Sequence, residues 1–553
     1  MAPVEAVRGF IPRKWDQRPG RIDISSNGRV NNIVLPLQFK PPQYFDKPSL
    51  SQMTFLYDNP STFFFPHDGY MYGGLQLIDG TTGQTYANGA PVALKPSLAS
   101  SFFSQYQLTF QGETIQQVPN VNGDACFLFN LSNYSYDYLI SGAYQLTAFL
   151  TAEPGTTQDT SGIALVGSGA QSATNAPFIP AAGAYVPARK YVIAFSNNSS
   201  ATGPVYTLDG SGLTRTVTTG DVASTNVGAT TTAGGYYPVV LQANADNTWF
   251  WLLQSLTNQT QAPGAPGTGK ITMFKIGLQE LIPEIASDSS YRKGSRWILN
   301  LVPNETNDMI LRAANYPGTN ATAVNNARVW MQYLYLSMPS ESPSKYLADK
   351  LDKELVNGAI FERMFITAYP QMVGSIPAGS RNFTQAFQIP AGLVDWLVLK
   401  YTPESYYNNQ TANPHCSLVP QVSNGECVVT NATINYQGGN YPDPAYGPQF
   451  SDNVRMYNTF LEMCSRLNIE LFGPPITYQQ WLQNYCYIVF DLRGRTGTAS
   501  ASQTNIQPQI AFRNTFAADT RVTAIAIMKN KIEYEIERSG DLSTVVMKPR
   551  VIV

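Results

Sequence analysis

Charge is the scarcest ingredient of this chain: Asp, Glu, Lys and Arg make up 13 % of its 553 residues, about half of the ~25 % typical of globular proteins. Exposed helix faces are usually built from Lys, Glu and Arg, so the shortage argues against a helical protein. Histidine is scarcer still, with only His67 and His415, and catalysis by converging titratable groups has little to draw on. The five cysteines, Cys126, Cys416, Cys427, Cys464 and Cys486, are odd in number and irregularly spaced, which argues against a disulfide framework and fits folding in a reducing compartment. No segment approaches the ~18 consecutive apolar residues of a membrane span. The start runs from Met1 through Arg8, Arg13, Lys14, Arg18 and Arg21 without an apolar stretch, so no secretory signal is expected. With a formal net charge of −2, the chain offers no general basic field for a phosphate backbone.

What the chain does have points to β-structure. Hydrophobic residues are 43 % and aromatics 12 %, with 42 Gly and 38 Pro; a large core is available, and turn formers punctuate it throughout. At ~100–200 residues per domain, the length suggests two to four units. A surface this poor in charge suits burial against other copies, because charge is depleted at interface cores.

Organisation follows from texture. Residues 1–29 are basic and aperiodic and read as an extended arm. Short strand-like runs fill 30–338, among them Ile33 to Leu37, Thr62 to Phe65, Phe102 to Phe110, Tyr144 to Leu150 and Arg296 to Leu299. A Gly-, Ala-, Ser- and Thr-rich surface insertion with its own short β-pieces is expected at about 153–236. Arg328 to Leu336 carries large apolar groups on both faces, as a strand covered on both sides does, and is expected to close the first unit. Residues 339–358 read as a linker with a short helix over Lys345 to Leu355, capped by Ser344. The second unit, 359–553, repeats the plan: strands at Phe361 to Ile366, Phe383 to Ile389 and Leu393 to Leu399, then a polar, aromatic insertion at about 402–449. A helix is expected at about Asp452 to Asn468, followed by strands at Tyr485 to Leu492 and Val522 to Ile527. Lys529-Asn530-Lys531 reads as a turn before the strictly alternating Ile532, Tyr534 and Ile536.

Four features could suggest chemistry, and each has a plainer explanation. His67 follows Phe64-Phe65-Pro66 and reads as a loop or core-edge residue. His415 and Cys416 have only Cys427 nearby and lack the paired spacings of a zinc site. Gly264-Ala265-Pro266-Gly267-Thr268-Gly269-Lys270 copies a phosphate-binding loop, then places Ile271 where Ser or Thr belongs, and leads into a strand rather than a helix. Glu533, Glu535 and Glu537 share one strand face and read as a solvated or interface edge, not as a glycosidase pair. No catalytic residue, metal, cofactor or small-molecule substrate is expected.

The run Tyr485-Cys486-Tyr487-Ile488-Val489-Phe490-Asp491-Leu492-Arg493, the polar passage to Ile510, Val522 to Glu537, Trp297 to Leu301 and Arg328 to Leu336 together resemble the double jelly-roll major capsid proteins. That lineage includes adenovirus hexons, and the likeness is to the capsid proteins of virophages and polinton-like viruses in particular. The resemblance implies an all-β chain of two tandem eight-stranded jelly-roll barrels with long loop insertions and a few short helices. It further implies a homotrimer forming pseudo-hexagonal capsomers of an icosahedral shell, and penton and minor or cement proteins as partners. The location implied is the virion, after synthesis and assembly inside a host cell. Arg8, Arg13, Lys14, Arg18 and Arg21 would then make inner-face or inter-capsomer contacts, reaching an internal membrane or the packaged genome. Some members lose a C-terminal segment to a protease; here Val551-Ile552-Val553 comes soon after the last strand, so such a segment is expected to be missing or removed. The alternative is a trimeric β-rich spike or receptor module, with the aromatic stretch Tyr401 to Tyr407 stacking on glycans.

Overall fold

The computed structural model describes residues 29–60, 62–86, 92–95, 98–118, 123–133, 271–286, 292–294, 296–312, 326–342, 359–367, 370–389, 393–410, 414–415, 422–423, 426–427, 429–436, 438–448, 450–467, 478, 481, 487–493, 504–538 and 545–552, with four strands between 191 and 242. Residues 1–28 of the arm, the linker helix at 345–355 and the strand expected at Tyr144 to Leu150 lie outside the described residues.

Among the described residues, eight longer strands frame the first unit: β1 (Arg29–Val34), β2 (Met53–Tyr57), β3 (Tyr70–Asp79), β4 (Phe103–Phe110), β5 (Glu113–Val118), β6 (Thr272–Gly277), β7 (Trp297–Pro303) and β8 (Ala327–Glu341), with the two-residue strands Gln43–Tyr44, Phe63–Phe64 and Arg292–Lys293 added to the sheet of β8. Their formation follows from alternation. Trp297, Leu299 and Leu301 of β7 are buried while Ile298, Asn300 and Val302 are only partly covered, the period of a strand with one face on a core. One antiparallel sheet runs β1–β8–β3–β6, and the other runs β2–β7–β4–β5. In chain order these are strands 1-8-3-6 against 2-7-4-5, the interleaving of two Greek keys that defines a jelly roll.

The second unit repeats that order. Its strands are β9 (Ala359–Thr367), β10 (Val373–Ile376), β11 (Asn382–Thr384), β12 (Phe387–Ile389), β13 (Leu393–Pro403), β14 (Val429–Tyr436), β15 (Gly439–Tyr446), β16 (Ile488–Asp491), β17 (Thr504–Phe512), β18 (Thr520–Arg538) and β19 (Val545–Ile552). β9 and β10 are two halves of the first position, and β11 and β12 two halves of the second. One sheet then reads β9/β10–β18–β13–β16, with β19 added to the far end of β18. The other reads β11/β12–β17–β14–β15. The positions are again 1-8-3-6 and 2-7-4-5. Each barrel has its own core, one around Phe55, Phe64, Leu75, Leu299 and Met331, the other around Trp396, Val398, Ile434, Ile510 and Ile525.

Several expectations meet the structure directly. The helix expected at 452–468 is α2 (Phe450–Leu467), which seats Met456, Phe460, Met463 and Cys464 in the second core; α1 is introduced below. Val205–Leu208 pairs with Thr214–Val217 inside the span 153–236, and Tyr191–Ser196 pairs with Tyr237–Gln242 just beyond it. β8 continues to Glu341. Its inner residues Val329, Met331, Leu334 and Leu336 are buried, whereas Trp330, Tyr333 and Tyr335 are only half-buried. A bulge between Met331 and Tyr333 resets the phase, so large side chains occupy both faces.

Two expectations are corrected. The stretch 402–449 is not simply an insertion, because it contains β14 and β15, and Ala432, Ile434, Tyr436 and Tyr446 are core residues. The pattern is masked by Thr430, Asn431, Thr433 and Asn435 on the outward positions and by Pro442 and Pro444 in β15. That strand lies at the sheet's edge, where proline costs no ladder bond. Nor do Lys529-Asn530-Lys531 make a turn: β18 runs unbroken from Thr520 to Arg538. Consequently Glu533 does not lie on an edge, whereas Glu535 and Glu537 pair only with β19 among the described residues. Glu533 pairs with Ile360 of β9 on one side and Arg550 of β19 on the other, and Glu535 is in register with Lys548.

The joint between the barrels and a candidate assembly surface

A helix missed by the sequence reading fastens the two barrels together. It is α1 (Asp124–Asn133), which comes after β5 of the first barrel, yet Ala125, Phe127, Leu128, Phe129 and Leu131 belong to the second barrel's core. Cys126, on the other side, belongs to the first. Asn130 Nδ2 donates to the carbonyl of Glu280 at 2.9 Å and Cys126 Sγ approaches the same oxygen at 3.3 Å, anchoring the helix to the first barrel. A helix buried all round has no polar stripe to reveal its period, which is why DACFLFNLSN does not read as amphipathic. Its entry is set by Gly123, at φ +78°; a Cβ there would stand 2.0 Å from the carbonyl oxygen of Ser100.

The second barrel answers with the segment after β13. Lys95 Nζ donates to the carbonyl of Asn409 at 2.8 Å, the Asn408 amide donates to Asp308 Oδ1 at 2.8 Å, and Gln410 Nε2 donates to the carbonyl of Ala327 at 3.3 Å. Beside these bonds sits a buried polar quartet. Lys400 Nζ lies 2.5 Å from Asp124 Oδ1, His415 Nδ1 lies 3.2 Å from the same oxygen, and Tyr407 OH donates to Oδ2 at 3.1 Å. Lys400 Nζ is also 3.3 Å from Tyr407 OH. The His415 ring stacks on Phe127 with centroids 4.8 Å apart, and Arg521 covers the Tyr407 ring while pairing with Glu404. Burial opposes the charge of Asp124, but Lys400 and His415 outweigh it and hold the carboxyl well below the usual range. Burial pushes His415 below its ordinary value, and burial with the Asp124 charge pushes Tyr407 well above its own.

The residues weighed in the sequence fall into three groups: outside the described residues, in the joint, or in plain structural positions. Arg8, Arg13, Lys14, Arg18 and Arg21 lie outside the described residues. His67 sits in a short helical turn, Pro66–Asp68, with Nδ1 3.4 Å from Asp68 Oδ1. His415 belongs to the joint; Cys416 is outside the described residues. Gly264 to Lys270 are also outside, and the next element after them is the strand β6. Among the described residues, no group of three His, Cys, Asp or Glu is placed to hold a metal, and no helix is long and apolar enough to cross a membrane. Tyr401, Tyr406 and Tyr407 are buried. Tyr401 packs on Phe512 and Phe516, so the aromatic stretch serves the core and the joint, and the expectation that it stacks on glycans is corrected.

One exposed surface is apolar where a lone protein would be polar. Ile33, Leu35 and Leu37 are 67 %, 66 % and 55 % exposed, while the alternating Val34 and Pro36 are buried. Leu56 of β2, 37 % exposed, lies near the row. Asn32 fixes this row by donating to Ser340 Oγ at 2.6 Å and to the Met338 carbonyl at 3.2 Å. Apolar side chains lined up along a sheet edge mark an interaction site.

No protein-family model matches the chain, and no curated protein matches it. Solved structures do. A chain of the Sputnik virophage, determined by cryo-electron microscopy, is similar over 97 % of this chain and 90 % of its own length, with a TM-score of 0.52 and 9 % identity. The mavirus major capsid protein is similar over 100 % of this chain and 95 % of its own, with a TM-score of 0.45 and 9 % identity. The PBCV-1 protein VP54 is similar over 94 % and 96 %, with a TM-score of 0.42 and 7 % identity. From its two matching strand orders and a likeness to the Sputnik virophage chain that runs almost from end to end, this protein has the double jelly-roll fold.

Proposed function

We propose that this chain is a major capsid protein, a structural rather than catalytic molecule that trimerises into pseudo-hexagonal capsomers and tiles into an icosahedral virus shell. The observation that carries the reading is the eight-position strand order present twice in one chain, in a fold held in common with a virophage chain along 97 % of the sequence. Two similar barrels fastened by a buried helix give each protomer two quasi-equivalent lobes. A closed ring of three such protomers presents six lobes, the outline that packs a hexagonal sheet. Low charge and the exposed row Ile33, Leu35 and Leu37 support burial against further copies. Penton and minor or cement proteins complete the shell, and the basic arm of Arg8, Arg13, Lys14, Arg18 and Arg21 faces the interior or the neighbouring capsomer.

Light scattering on the chromatographed full chain tests the trimer. A mass three times the 60.7 kDa of the chain is expected, and a persistent single-chain mass at micromolar concentration would contradict the proposal. Removing residues 1–28 tests the arm: trimers should persist while particles fail, and unchanged particle yield would remove its assigned role.

A further inference from the structure

Lys400 and Asp124 are 276 residues apart in the chain and come from different barrels, yet the lysine nitrogen rests on the aspartate's own oxygen in a fully enclosed site. We propose that this pair is the site of a spontaneous isopeptide bond, an amide between Lys400 Nζ and Asp124 Cγ that welds the two barrels covalently.

The proposal rests on the geometry around the pair. Condensation of an amine with a carboxyl group needs contact, exclusion of water, a group to carry protons and a donor for the developing oxyanion. Contact is the 2.5 Å approach. Both side chains are buried, at 5 % and 0 % exposure, and Phe127 and the His415 ring, stacked on each other, help keep water from the pair. His415 Nδ1, 3.2 Å from Asp124 Oδ1, is placed to carry protons to that oxygen. Tyr407 OH, 3.1 Å from Oδ2, donates to the oxygen that becomes the oxyanion.

The step balances within the four residues. The Lys400 ammonium passes one proton to the Asp124 carboxylate, leaving a neutral amine and a carboxylic acid. Nζ attacks Cγ and forms the N–C bond, with negative charge on Oδ2 held by Tyr407. A second nitrogen-bound proton travels through His415 to Oδ1, the Cγ–Oδ1 bond breaks, and one water leaves. The product is a neutral amide that keeps one hydrogen on nitrogen, with no oxidant, reductant or cofactor involved. A bond between residues so far apart in sequence would restrict the unfolded chain strongly, as a disulfide closing a long loop does.

Intact-mass spectrometry of the purified, folded full chain decides the matter, followed by tryptic mapping. The expected result is a mass one water below that of the sequence and a branched peptide joining Lys400 to Asp124. The Lys400→Arg variant should keep the full mass, and His415→Gln should slow the loss of water without preventing folding. A folded wild-type chain carrying its full mass, or a lost water that maps anywhere else, overturns the proposal. Both of those readings come from the wild type, so the outcome does not depend on whether a variant folds.

Discussion

Replacing Gly123 by alanine perturbs the entry to α1 at a point where backbone meets backbone. Two costs add. At φ +78° any residue with a Cβ stands in the left-handed region, a penalty of about 1–2 kcal/mol. The new Cβ would also lie 2.0 Å from the Ser100 carbonyl oxygen and 2.7 Å from its carbon. No rotamer relieves that contact, because both partners are main chain; overpacking of this kind costs about 1–3 kcal/mol. Gly379 is the internal control, since its φ is +81° but nothing lies within 4 Å of the place a Cβ would take. Gly379→Ala should therefore lose only the conformational part, about 1–2 kcal/mol, while Gly123→Ala loses about 2–5 kcal/mol. Urea unfolding followed by circular dichroism measures both. Equal midpoint shifts for the two variants would refute the close approach of Gly123 to Ser100, and with it the way α1 is aimed into the second barrel.

Cys126 and Cys464 are buried thiols, and burial pushes Cys464 up to about 12 and Cys126 further still; neither should react with a thiol reagent at pH 8 until the chain is unfolded, and fast labelling of either in the native state would contradict their placement. Asp46 is buried and accepts from Arg328 Nε at 2.9 Å and Nη2 at 2.7 Å, with Thr306 Oγ1 at 3.0 Å. Arg328→Ala should cost about 3 kcal/mol by leaving that carboxylate without its cation, and a loss below about 1 kcal/mol by urea titration would show the pair to be incidental. Ile33→Ser combined with Leu35→Ser should leave the unfolding midpoint of the chain within about 0.5 kcal/mol of wild type, as exposed positions do, while sharply lowering particle yield. Unchanged particle yield would remove this row from the assembly surface.

How much of this was legible in the residues depended on whether a face met water. β7 could be read because it is a short run of large and β-branched apolar residues about Asn300, with its outward positions only partly covered, and α2 because polar side chains share the helix with Met456, Phe460 and Met463. β14 and β15 were hidden because Asn and Thr on outward positions and two edge prolines imitate a loop. The false turn at Lys529-Asn530-Lys531 arose because polar residues inside a long strand look like an end, whereas pairing on both sides carries β18 straight through. The joint had no local signal: Asp124 is 276 residues from Lys400 and 283 from Tyr407, and each residue alone reads as an ordinary loop or strand residue. The placement of His415 on Phe127 and Asp124 is a property of tertiary packing, which periodicity does not encode.

Electron microscopy of the purified full chain at rising concentration tests the central claim most directly. The account predicts discrete particles with threefold symmetry and six lobes that join edge to edge into hexagonal sheets or closed shells. A field of separate two-lobed single chains that never associate, at any concentration reached, would contradict it.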